Sequence, residues 1–236
     1  MVYLRHFSLW NLYIYYINRI KMVKIAPSIL AADLMDMTNE IKLVDANGAD
    51  YIHIDVMDGH YVNNIAFGPN MVKSMRPHTK KILDVHLMIS PVKKFVDEFI
   101  AAGADIISFH PDADKNSRDI LNQIKSANCK AGIAIHPKVS INEIVSFLDL
   151  IDIVIVMTVV PGFGGQKFMQ SEVNKIIELS KIRKKRNLNY EIEIDGGINS
   201  ETGKICKDAN ADVLVAGSYI FSSGKENYKK MINSLR

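Results

Sequence analysis

Between residues 24 and 216 the chain repeats one arrangement: a short apolar run, a polar turn, a longer amphipathic stretch, then another apolar run. Runs at 24–30, 51–55, 81–87, 106–110, 130–135, 153–157, 191–195 and 213–216 make eight candidate strands. Parallel neighbours need a long crossover to bring the chain back to the same edge, so strands alternating with helices imply a parallel α/β sheet. The stretches between them supply it. Met37, Ile41 and Val44 recur at helical spacing before the second run, and Val92, Phe95, Val96 and Phe99 before the fourth.

Three helix-to-strand joints look alike: Asn47-Gly48-Ala49-Asp50, Ala102-Gly103-Ala104-Asp105 and Ala209-Asn210-Ala211-Asp212. Each puts Gly or Asn where a helix ends in a left-handed conformation, then an Asp, then an apolar run. Repeated joints mean repeated βα units. Eight units in 236 residues predict a single (β/α)8 TIM barrel, with its active site at the C-terminal ends of the strands. We expect it to span residues 22–236. Residues 1–21 are aromatic, aliphatic and basic without Asp or Glu, and are expected to lie outside the fold. They read as an organelle-targeting leader or as the result of a true start at Met22, and their apolar run is too short and polar for a membrane span.

Four residues at strand ends carry metal and proton chemistry. His53 and Asp55, two apart in Tyr51-Ile52-His53-Ile54-Asp55, share one strand face; His86 ends Ile82-Leu83-Asp84-Val85-His86, and Asp195 ends Glu191-Ile192-Glu193-Ile194-Asp195. A lone His or Asp at such a place is more often a structural cap, but four together point to a shared site. Ser28 ends the first run, either as a turn serine or as a hydroxyl offered to a ligand. Met57, Met88 and Met157 stand at or just past strand ends; singly each reads as core filler, and together as pocket lining.

Glycines gather after the last three strands, in Pro161-Gly162-Phe163-Gly164-Gly165-Gln166, Asp195-Gly196-Gly197 and Ala216-Gly217-Ser218. Glycine lets backbone N–H groups approach an anion, and barrel phosphate sites are commonly built from the loops after strands seven and eight. Such a loop also serves as a plain hinge, but the three together predict a phosphorylated small molecule. A net charge of +3 is too mild to suggest nucleic acid. Cys129 and Cys206 form neither a metal motif nor a disulfide framework, which fits a reducing compartment.

These segments resemble the ribulose-phosphate 3-epimerases of the pentose phosphate pathway. The likeness runs in order through Ala26 to Leu30, His53 to His60, Asp84 to Met88, Met157 to Val159 with Pro161 to Gln166, Asp195 to Ile198, and Val215 to Ser218, covering about residues 24–225. It implies a ribulose-phosphate-binding barrel that interconverts D-ribulose 5-phosphate and D-xylulose 5-phosphate. It implies one divalent metal on His53, Asp55, His86 and Asp195, zinc first, with iron, manganese or cobalt as alternatives. Asp55 and Asp195 would double as the proton-transfer pair. Ser28 and His86 would meet the sugar, and Gly162, Phe163, Gly164, Gly165, Gly196, Gly197, Gly217 and Ser218 would line the substrate site and hold its phosphate. A homo-oligomer with no nucleic-acid or membrane partner for the barrel is expected, cytoplasmic unless residues 1–21 direct it to an organelle. The rival readings are a hexulose-phosphate epimerase, a metal-assisted aldolase or decarboxylase, and a sugar-phosphate binder without turnover. Asn63, His136 and Val160 depart from the family's usual residues.

Overall fold

The computed structural model describes residues 22–236, so the segment read as a leader lies outside the described residues. The strands are β1 (Lys24–Pro27), β2 (Tyr51–Asp58), β3 (Ile65–Ala66), β4 (Ile82–Met88), β5 (Ile106–Phe109), β6 (Lys130–Ile135), β7 (Ile153–Met157), β8 (Glu191–Asp195) and β9 (Val213–Ala216). The helices are α1 (Met37–Ala46), α2 (Pro69–Met75), α3 (Val96–Ala102), α4 (Ser117–Ser126), α5 (Val173–Arg186), α6 (Ser200–Asp208), α7 (Ser218–Phe221) and α8 (Tyr228–Leu235). Hydrogen bonding runs β1-β9-β8-β7-β6-β5-β4-β2-β3, parallel except for β2 with β3. A parallel bridge between Ser28 and His53 joins β1 to β2 and closes the barrel.

Among the described residues nine strands replace the expected eight, because β3 folds back on Met57 and Asp58 as a two-residue hairpin arm, too short to show any alternation in sequence. The first strand stops at Pro27, and a 3-10 turn occupies Ile29–Ala31. The helix expected from Val92 begins at Val96, after a turn that buries Val92. Between β6 and β7 the crossover uses two 3-10 turns, Ile141–Glu143 and Val145–Phe147, in place of an α-helix.

The repeated joints have a physical basis. Gly48, Gly103 and Asn210 sit at φ 101°, 99° and 72°, the left-handed region that ends a helix without steric cost only for Gly and, nearly, Asn. The Asp that follows then bonds sideways. Asp50, Asp105 and Asp212 each accept, at 2.8 Å, the backbone N–H of the neighbouring strand, at Ile25, Leu83 and Ile192. Asp152 does the same for Ala131 at 2.9 Å. A cation neutralises each carboxylate: Arg236, Arg76, Arg183 and Lys125 respectively. The barrel is thus pinned at its N-terminal rim in four strand pairs.

Apolar side chains fill both sides of the strands. Ile52, Ile54, Leu83 and Val85 are fully buried against the helices, while Ala26, Tyr51, Ile106, Ile153, Val213 and Val215 pack within the barrel. Each large aliphatic chain so buried contributes about 1.5–3 kcal/mol, and fully buried strands read as continuous apolar runs. Gly132 keeps the interior open. A Cβ there would lie 2.6 Å from Cγ2 of Ile153 and 2.8 Å from Cβ of Ser108.

Candidate active site and metal centre

Alternation along β2 turns His53 and Asp55 into the barrel, and the parallel register sets Asp55 opposite His86 on β4. Asp195, the last residue of β8, completes the group, and ligand atoms of all four lie within 4.8 Å of one another. Oδ1 of Asp55 is 3.4 Å from Nε2 of His53 and 3.4 Å from Nδ1 of His86. Oδ2 of Asp195 is 3.9 Å from the first of these nitrogens and 3.7 Å from the second. The Ser28 hydroxyl donates to Oδ2 of Asp55 at 2.7 Å, which leaves Oδ1 turned to the imidazoles.

His53 and His86 are fully buried, yet Nε2 of one and Nδ1 of the other have no hydrogen-bond partner among the described residues. An orphaned buried nitrogen is costly unless something else uses its lone pair. Two such nitrogens facing two carboxylates fit a divalent cation, with a donor set zinc commonly takes.

Behind this group lie residues that sequence reasoning passed over. Nδ1 of His53 is 2.7 Å from Oδ2 of Asp84 and 3.2 Å from Oε1 of Glu193, both fully buried. Carboxylates behind a ligating imidazole fix its orientation and raise its basicity. The signal was present: Asp84 and Glu193 stand two residues before His86 and Asp195, so they share the inward face. His86 is backed differently, with Nε2 2.9 Å from Nε2 of His110, a residue just beyond β5.

These surroundings divide the carboxyls. Burial works to raise Asp55, but the neighbouring imidazoles of His53 and His86 outweigh it and hold Asp55 well below the usual carboxylate range. Burial, then the charge of Asp55, pushes Asp195 up to about 6. Burial and the charge of Asp84 push Glu193 well above its usual range. Burial opposes the charge on His53, but Asp55 and Asp84 outweigh it, so His53 holds its proton well above the ordinary imidazole value.

Above the four residues a cavity of about 340 Å³ opens to the surface. Asp55 and Asp195 line it, as do Ser28, Met57, Met88 and Met157. Gly162, Phe163, Gly164, Gly165, Gly196, Gly197, Gly217 and Ser218 line it as well. His53 and His86 do not, being buried beneath it. The glycines are required where the backbone crowds: at φ 122° and 64°, a Cβ on Gly196 would meet Val159 at 2.6 Å and one on Gly197 would meet Phe168 N at 2.7 Å.

The run Pro161 to Gln166 does not itself open a helix. The next helical turn starts at Gln170 and α5 at Val173, so any anion-binding capacity of this loop comes from its own backbone rather than a helix dipole. The loop is tied to the β2–β3 turn, where Asn64 Nδ2 donates to the Gly162 carbonyl at 2.8 Å. Of the departing residues, Asn63 and Val160 are exposed, and the His136 carbonyl accepts from Lys175 Nζ at 3.0 Å.

The family profile described as the ribulose-phosphate 3 epimerase family matches residues 24–221. The chain belongs to that family. Relatives named ribulose-phosphate 3-epimerase include one from Bacillus subtilis, 45% identical with 91% of this chain and 99% of the relative covered. One from Rhodobacter capsulatus is 44% identical, with 92% and 95% covered. A relative from Arabidopsis thaliana named as chloroplastic ribulose-5-phosphate-3-epimerase is 41% identical, with 90% of this chain and 75% of the relative covered. Among solved structures, the 3-keto-L-gulonate-6-phosphate decarboxylase of Vibrio cholerae aligns with a TM-score of 0.68 at 18% identity, covering 91% of this chain and 95% of that one. A tryptophan synthase α-subunit of Pyrococcus furiosus aligns at 0.66 and 14%, covering 90% and 96%. At those identities they support the epimerase chain's barrel fold alone. Among the described residues no helix is long and apolar enough to cross a membrane.

Proposed function

We propose that the protein is a ribulose-phosphate 3-epimerase, interconverting D-ribulose 5-phosphate and D-xylulose 5-phosphate by proton transfer at C3. The observation that carries the reading is one cavity floor holding two unlike carboxyls beside two orphaned imidazole nitrogens. Asp55, held ionised, takes the C3 proton; Asp195, which holds a proton more readily, delivers one to the opposite face, and the roles exchange in reverse. Two bases on opposite faces invert a centre, whereas one alone tends to restore it. A divalent ion on His53, Asp55, His86 and Asp195, zinc first and iron, manganese or cobalt as alternatives, would supply positive charge against that developing on the sugar oxygens. Ser28, which donates to Asp55 and lines the cavity, would meet the sugar, and the glycine loops with Ser218, which line it too, would offer backbone N–H groups to the phosphate.

Among the described residues no lysine lines the cavity, which disfavours a Schiff-base aldolase. A homo-oligomer in the cytoplasm, with residues 1–21 as an alternative organelle address, belongs to the same reading, and light scattering and imaging of the full chain test it. The chemistry is tested with ribulose 5-phosphate in deuterated water with divalent metal supplied. Xylulose 5-phosphate should carry deuterium at C3. In Asp195→Asn inversion should collapse while exchange at C3 survives through Asp55. Inversion at an undiminished rate in that variant refutes the two-carboxylate mechanism; cleavage fragments indicate an aldolase, and an unlabelled, unconverted sugar indicates a binder.

A further inference from the structure

We infer that His110 is a positioning residue that selects which ring nitrogen of His86 is free to hold the metal. His86 and His110 are both fully buried, and their Nε2 atoms stand 2.9 Å apart. Two nitrogens at that distance share one proton, so one ring donates and the other accepts. If His110 donated, a neutral His86 would carry its own proton on Nδ1. That proton would then block the atom that faces Oδ1 of Asp55 at 3.4 Å and Oδ2 of Asp195 at 3.7 Å. If His86 donates from Nε2, its Nδ1 lone pair is free toward both carboxylates. Only the second arrangement lets His86 join His53, Asp55 and Asp195 around one cation.

In that arrangement His110 accepts. With its Nε2 lone pair aimed at His86, its proton must sit on Nδ1, which is buried with no partner among the described residues. That cost is tolerated where a function needs it. The ring of Tyr61 covers His110 with centroids 5.2 Å apart and an interplanar angle of 34°, and its hydroxyl donates to Oδ1 of Asp112 at 2.9 Å. This cover keeps water from competing for the shared proton. The two ligating imidazoles are therefore set by different means. Asp84 holds His53 at Nδ1, leaving Nε2 free, and His110 holds His86 at Nε2, leaving Nδ1 free.

The inference rests on the metal-site reading but not on the epimerase reading, and its test reads metal directly. Metal-stripped full-length protein is titrated with Zn²⁺ against a chromogenic chelator, and with Co²⁺ by its visible absorption. His110→Phe keeps a flat ring but cannot accept, and should lose about 10–100-fold in affinity. His110→Gln offers an amide oxygen and should recover most of that loss. In the zinc-loaded wild-type protein, ¹⁵N spectra of labelled histidine should show His86 protonated on Nε2, with that proton slow to exchange. Wild-type affinity in a folded His110→Phe protein overturns the inference, as does a wild-type spectrum with His86 protonated on Nδ1. If that variant fails to fold, the wild-type spectrum decides through the ¹⁵N–¹⁵N coupling across the Nε2–H···Nε2 bond, present if His110 accepts from His86 and absent, overturning the inference, if it does not. If the wild-type protein binds neither metal, the metal-site reading falls as well, an outcome distinct from the failure of His110 alone.

Discussion

Ser28→Ala removes one buried hydrogen bond and little else, since the backbone bridge from Ser28 to His53 remains. The lost bond runs from the serine hydroxyl to Oδ2 of Asp55 at 2.7 Å, with Ser28 only 6% exposed. A bond to a charged acceptor contributes about 1.5–3 kcal/mol. It favours the ionised carboxylate, so its loss should move Asp55 upward. Asp55 starts well below the usual range, so it stays ionised at neutral pH even after that rise. The loss at neutral pH therefore comes from orientation: Oδ2 is freed, the carboxylate can rotate, and Oδ1 is no longer pinned between His53 and His86. If the same energy is missing from the transition state, kcat falls about 10–100-fold. Initial rates of xylulose 5-phosphate formation across pH should show both effects, a lower plateau and an acidic limb displaced upward. A plateau within about twofold of wild type, with the acidic limb unmoved, refutes the orienting role.

Two further outcomes follow from the same geometry. Metal affinity should rise with pH, because ligation requires His53 to release a proton it holds well above the ordinary imidazole value, and Asp195 to release one it holds up to about 6. Zn²⁺ competition should gain about tenfold per pH unit above 6 and more steeply below it, and affinity flat from pH 5 to 8 would contradict the arrangement. Gly132→Ala should destabilise the barrel by about 1–3 kcal/mol through overpacking against Ile153 and Ser108, read from the urea midpoint, and an unchanged midpoint would show that the interior there yields.

Much of the site was legible because barrel geometry converts sequence spacing into position. His53 and Asp55 had to share a face, and strand ends had to meet at one rim, so four ligand candidates from three strands converge without long-range information. The joints were legible for a similar reason, since few residues tolerate a left-handed helix end. What escaped was whatever depends on partners across the barrel. Asp84 and Glu193 sit in apolar runs at inward positions, but a carboxylate in a strand becomes interpretable only when the imidazole between them is seen. His110 carries no spacing relation to His86, being on another strand's end, and only register brings β4 and β5 together. The arm β3 was hidden by brevity. The distance from the run Pro161 to Gln166 to the next α-helix was hidden as well, since nothing in its glycines announces that six further residues intervene before α5.

The interior explains why this barrel can hold so many charges. Along β2 the inward positions are Tyr51, His53 and Asp55, and along β8 they are Glu191, Glu193 and Asp195, so both strands are polar at every level where β9 offers Val213 and Val215. At the N-terminal mouth the levels are paired: Lys24 Nζ lies 2.5 Å from Oε1 of Glu191, and the Tyr51 hydroxyl donates to Oε2 of Glu191 at 2.6 Å. At the middle level His53 is held by Asp84 at 2.7 Å. Burying a charge is tolerable when a partner satisfies it and costly when none does. Pairing is complete at the mouth and incomplete above it: Oδ1 of Asp84 and the Glu193 oxygens lack a hydrogen-bond partner among the described residues, as do, nearer the cavity, the imidazole nitrogens of His53 and His86 that face Asp55 and Asp195. The unmet electrostatic demand therefore runs from the middle of the barrel up to the level where a cation would sit, beneath the cavity that the substrate's reacting carbon must enter.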